Sequence, residues 1–177
     1  MSEFGISRMA ELDRISRAED LKDPPIGVGV VRYQVICQGS AFVSLERVKE
    51  ALSSVLRLGS WEAIEGKDPN MVLPRWFVDM CGEELSSEER IAWLEKWRKL
   101  SDAERTLAED QRRWSVNDWL YWFEDEQRAW FWRRAQVLNE NEYTVDIEVI
   151  DWPFPSGALR WLLVASGAKH VTEIGFV

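Results

Sequence analysis

Eleven tryptophans in 177 residues, five of them between Trp114 and Trp132, constrain this chain more than any other feature. Burying one such ring removes ~150 to 250 Å² from water. At ~25 cal/mol per Å² that is ~4 to 6 kcal/mol gross, set against a net stability of ~5 to 15 kcal/mol for a whole domain. A fold that accepts this sequence must therefore give most of these rings a place in a core, or present some of them to a partner. In the belt formed by Trp114, Trp119, Tyr121, Trp122, Phe123, Trp130, Phe131 and Trp132 the intervening residues are mainly apolar. That composition favours a helix-on-sheet core over an aromatic binding platform.

The hydrophobic period assigns the elements. Met9, Leu12 and Ile15 fall at helical spacing, so residues 1–25 are expected to form an N-terminal arm or weak helix, closed by Pro24 and Pro25. Residues 26–177 are expected to form one α+β domain. The β-branched run 28–37 predicts a strand. Ser44 is expected to cap a following helix carrying Leu45, Val48, Leu52, Val55 and Leu56, with Gly59 as its stop. Residues 60–70, with the turn-like Asp68-Pro69-Asn70, read as a loop, and Pro74 opens a short helix through Cys81. Ser86 with Glu89, and Ser101 with Glu104, have capping-box spacing. The first would open a helix with the apolar stripe Ile91, Trp93, Leu94, Trp97 and Leu100, the second a thinner one with Ala103, Leu107 and Ala108. Ser115 predicts a third, burying Trp119, Trp122 and Phe123 at i, i+3 and i+4.

The period then changes to two. Segments 129–138 and 144–151, joined by the polar run Asn139-Glu140-Asn141-Glu142, predict an antiparallel hairpin. Val145, Ile147 and Val149 should face the helices, with Asp146 and Glu148 facing outward or an edge. Ser156 is placed to cap a helix 157–166, which should dock through Leu159, Leu162 and Leu163 with Trp161 at the edge. Residues 170–177 read as a last short strand or a tail. The expected architecture is thus α+β in a single domain, a small antiparallel sheet with a β-hairpin, packed by several helices. Strand, then helices, then hairpin, then helix excludes a regular βαβ series.

Chemistry is sparse. The 31 acidic and 22 basic residues leave a net charge of −9, which argues against nucleic acid, whose phosphates need a clustered positive face. Arg112, Arg113, Arg128, Arg133 and Arg134 gather around the aromatic belt, but Asp118, Glu124, Asp125 and Glu126 nearly cancel them. Cation–π packing at the core rim is the simpler account of the arginines. His170 is the single histidine, and no nucleophile motif accompanies it. With Cys37 and Cys81 it makes too few ligands for a zinc site. Both cysteines read as small buried hydrophobes. No phosphate-binding glycine loop is present. No catalytic residue, metal ligand or cofactor site is assigned. The chain has no signal-peptide layout and no apolar run of ~18 to 20 residues, so a cytoplasmic protein without membrane contact is expected.

Two roles fit. The first is a small acidic cytoplasmic interaction protein that neutralises a basic partner, as a bacterial immunity protein or antitoxin would. Its contacts are expected from Trp76, Trp93 and Trp152 and from the carboxylates Glu83, Glu84, Glu88 and Glu89. The second is an enzyme or small-ligand-binding module with a tryptophan-lined pocket and carboxylates from the hairpin, Asp146 and Glu148. Self-association into a homo-oligomer is compatible with either.

Overall fold

The computed structural model describes residues 6–17, 23–59, 68 and 71–177. It is an α+β fold in one domain, as the sequence predicts, with seven helices and a four-stranded antiparallel sheet among the described residues. Except for Asp68, the loop read over 60–70 lies outside them, as do residues 1–5 and 18–22 of the N-terminal segment.

The sheet has the order β2-β3-β1-β4, from β1 (Gly29–Cys37), β2 (Trp130–Asn139), β3 (Glu142–Val149) and β4 (Ala168–Phe176). Residues 130–139 and 142–149 form the predicted hairpin, closed by the two-residue turn Glu140-Asn141. Period-two alternation sends Val31, Tyr33, Val35, Tyr143, Val145, Ile147 and Val149 to one buried face. Against it pack α2 (Ala41–Leu58), through Leu45, Val48, Leu52, Val55 and Leu56, and α7 (Gly157–Ala165), through Leu159, Leu162 and Leu163. Trp161 is buried rather than at the edge. The last segment, open between strand and tail in the sequence, is a nine-residue strand paired with β1.

Three local expectations need correction. Ser40, not Ser44, caps α2: its hydroxyl accepts from Val43 N at 3.4 Å. Ser44 lies a turn inside, buried with its hydroxyl 3.4 Å from that of Tyr143. Serine caps only where the backbone is still extended, as at Ser40. At Ser156 the backbone is already helical and the side chain makes no capping bond. The capping bonds predicted at Ser86/Glu89, Ser101/Glu104 and Ser115 are present, and Ser7 adds one the sequence reading did not name, accepting from Ala10 N at 3.2 Å.

The third correction concerns Asp146 and Glu148. They lie on the sheet face away from the helices but do not meet water, being 2% and 4% exposed. Arginines cover them. Arg32 grips Asp146 with two bonds of 2.7 and 2.8 Å, and Arg134 adds one of 2.8 Å. Arg14 and Arg133 reach Glu148 at 3.0 and 2.7 Å. Long arginine stems roofing a carboxylate are invisible to a period-two reading.

Each sheet edge is protected. Helix α1 (Arg8–Ser16) closes the β2 edge: the Glu11 carboxylate accepts from Trp132 N and from Arg128, both at 2.7 Å, and Arg14 donates to Trp132 O at 3.5 Å. Irregularities in the pairing with β1 interrupt the β4 edge near both of its ends, a device that disfavours pairing with another strand.

Candidate functional site

Helices α3 (Arg75–Met80), α4 (Ser87–Arg98), α5 (Asp102–Gln111) and α6 (Val116–Tyr121) separate β1 and α2 from the hairpin. Helix α6 belongs to the core. Trp119 is fully buried, its ring 4.5 Å from both Phe77 and Phe123, and its indole N–H donates to Ala158 O at 3.0 Å. Trp122, expected to be buried with them, is only partly so. It occupies the C-cap of a six-residue helix and packs against the core from outside it.

Helix α4 differs. None of its residues is buried, so the stripe Ile91, Trp93, Leu94, Trp97 is not a core face. Ile91 is 58% exposed. The helix is held by arginines instead. The Arg112 guanidinium lies 4.5 Å from the Trp93 ring centre and 5.2 Å from that of Trp114, and donates to Asp118 at 2.6 Å. Arg90 reaches the same carboxylate at 2.9 Å. Arg105 lies 4.5 Å over Trp97 and donates to Trp97 O and Arg98 O, closing the C-terminus of α4. Trp93 and Trp97 stack, centres 6.3 Å apart and planes at 27°.

This leaves an open cleft of about 840 Å³ between α4, α6 and the start of α7. Trp93 and Trp97 form one wall; Trp114, Tyr121 and Trp122 form the other, with Phe154 to Gly157 between them. Gly157 is required there. A Cβ on it would stand 2.8 Å from the Trp114 ring. The approach to α4 is fixed as well, by a parallel bridge between Gly82 and Ser115 and by Glu84, which accepts from Asn117 N at 3.2 Å. The polar groups lining the cleft are Arg90, Arg112, Asn117, Asp118, Glu124 and Ser156. The lining thus offers flat aromatic faces, the Arg90 and Arg112 ion pairs with Asp118, and a further carboxylate, Glu124.

Of the residues singled out as partner contacts, Trp93 lines the cleft. Glu83, Glu84, Glu88 and Glu89 are exposed on the segment that also supplies Leu85 and Arg90 to it. Glu89 is held by its capping box, whose hydrogen bonds from the Ser86 backbone and hydroxyl keep its carboxyl below the usual range. Trp152 is half exposed, packed on Phe154 and Phe176 with centres 5.7 and 5.0 Å away. Trp76 stands apart: its N–H donates to Glu50 at 2.8 Å and Arg47 lies over its ring. Asp146 and Glu148 do not line the cleft. The sequence reading missed Trp97, Trp114, Trp122, Tyr121 and Phe154 as cleft residues. The available signal was the nearly cancelling Arg112/Asp118 charge beside the rings.

Both cysteines are free. Burial pushes the Cys81 thiol up to about 11, and it raises Cys37 as well. Among the described residues no cluster of three His, Cys, Asp or Glu side chains could hold a metal ion, and no helix is long and apolar enough to cross a membrane. No protein-family model, curated protein or solved structure matches the chain.

Proposed function

We propose that this protein is an acidic binding module that neutralises a basic partner protein, holding it through the tryptophan-lined cleft. The observation that carries this reading is a cleft of about 840 Å³ lined by four tryptophans, three of which, Trp93, Trp97 and Trp122, are only partly buried. Aromatic faces left open in this way are what partners use as anchoring pockets, where Trp, Tyr and Arg dominate binding energy. The net charge of −9 and the exposed Glu83, Glu84, Glu88 and Glu89 beside the cleft favour a cationic partner. A cytoplasmic protein of the immunity or antitoxin type is the biological setting we infer.

Leu94→Glu and Tyr121→Ala test the reading, because both side chains line the cleft and are more than a third exposed. With a partner recovered by affinity capture from the native host, each should weaken binding at least ~10-fold, about 1.4 kcal/mol, without lowering the thermal melt. Unchanged affinity in both variants would refute the assignment.

The volume favours a second reading. Pockets for small ligands span ~300 to 1,000 Å³, so a small planar molecule would also fit. In that case a compound that quenches the cleft tryptophans should raise the melting temperature, and the captured partner would bind the two variants normally.

A further inference from the structure

We propose that the cleft recognises an arginine side chain presented by the basic partner, stacked on Trp122 beside Tyr121 with its charge met by Glu124. This rests on the cleft being the partner site. The cleft contains the pattern already, filled by the chain's own residues. Arg112 lies against Trp93 and Trp114 with Asp118 at 2.6 Å, and Arg105 covers Trp97 at 4.5 Å. Three of the four cleft tryptophans therefore carry an internal guanidinium. Among the described residues Trp122 carries none, and Glu124, which lines the same cleft, has no ion pair. Tyr121 stands edge-on to Trp122, centres 5.5 Å apart and planes at 82°, and is 43% exposed.

The pairing of the charges favours a cation. Arg90 and Arg112 each give an N–H to Asp118 and are partly neutralised by it, which leaves Glu124 as the cleft carboxylate without an ion pair among the described residues. A planar guanidinium suits Trp122 and Glu124 better than an ammonium, because it can stack on an indole and fork a carboxylate at once. The overall charge of −9 raises the local concentration of a basic segment near the cleft.

A hexa-arginine peptide, titrated at fixed ionic strength and followed through the indole N–H resonances, tests this. We expect the Trp122 resonance to move, hexa-lysine to bind more weakly, and Glu124→Gln to weaken hexa-arginine by ~5- to 10-fold, in the range of a charge-assisted hydrogen bond. Glu140→Gln, an equal charge change at the hairpin turn, should leave the affinity unaltered. Equal losses in the two variants would reduce the effect to general charge and overturn the proposal, as would shifts at Trp76 without shifts at Trp122. If Leu94→Glu abolishes binding of the native partner while Glu124→Gln is silent, the cleft remains the partner site and the arginine assignment falls. If both are silent toward the partner, both readings fall.

Discussion

Trp119 and Trp122 are three residues apart on one short helix, yet they do different work. Trp119 is enclosed between Phe77 and Phe123 and anchored to Ala158 O, while Trp122 is at the helix end and lines the cleft. Trp119→Ala should cost ~3 to 5 kcal/mol, the range for large aromatic truncations in cores. Trp122→Ala should cost less than half of that, measured by chemical denaturation of the two variants side by side. Equal losses would mean that Trp122 is a core residue. Asp146 makes a second residue-scale case. Burial pushes its carboxyl up, but hydrogen bonds and charge from Arg32 and Arg134 outweigh this and hold it below its usual value of 3.8. A depressed carboxylate contributes stability that is complete above its unfolded value and is lost as the pH falls through the folded one. Asp146→Asn should therefore destabilise by ~1 to 3 kcal/mol at neutral pH. The gap to the native protein should stay constant down to about pH 4 and narrow below it. Denaturation curves at pH 7, 4 and 3 measure this, and a gap that widens in acid would contradict it.

Among the elements, α2 and α7 differ from α4 in what holds them. The first two bury whole faces of Leu, Val and Ala against the sheet, whereas α4 buries no residue and is fixed by two cation–π contacts, an ion pair and its caps. Local opening energy follows buried apolar contact. Native-state hydrogen exchange should accordingly show α4 amides opening well below the global unfolding energy, while central α2 and α7 amides exchange only on global unfolding. Equal protection of the three helices would show that α4 is part of the cooperative core. The same comparison explains why the sequence reading placed α4 correctly and its environment wrongly. Its capping box is local chemistry between Ser86 and Glu89, but periodicity cannot say whether an apolar stripe meets a core or the wall of an open cleft.

On the scale of the whole molecule, charge and cleft make one kinetic prediction. If the −9 charge draws in a basic protein, its association rate should fall markedly with added salt, while dissociation from the aromatic contacts changes less. Reversing Glu83, Glu84, Glu88 and Glu89 together should slow association, since all four are exposed beside the cleft. Glu89 is included knowing that its reversal also breaks the capping box, so a Glu83/Glu84/Glu88 triple variant serves as control. Stopped-flow or surface-based kinetics with the captured partner provide the measurement, and a salt-independent association rate would dismiss steering.

The α+β class, the hairpin and the two capping boxes were legible in the residues alone, because each depends on neighbours within a few positions. Alternation at Val145, Ile147 and Val149 and a polar turn at Glu140-Asn141 suffice for a hairpin. A serine three residues before a glutamate suffices for a capping box. What tertiary structure decided was which polar groups are roofed and which rings are left open. Arg32 and Arg134 come from β1 and β2, the strands on either side of β3, to enclose Asp146, and Trp93 meets Arg112 and Trp114 only because separate segments converge. Contacts of that kind are set by where elements pack, over separations at which local pattern carries no information. The cleft exists because such contacts bring its walls together.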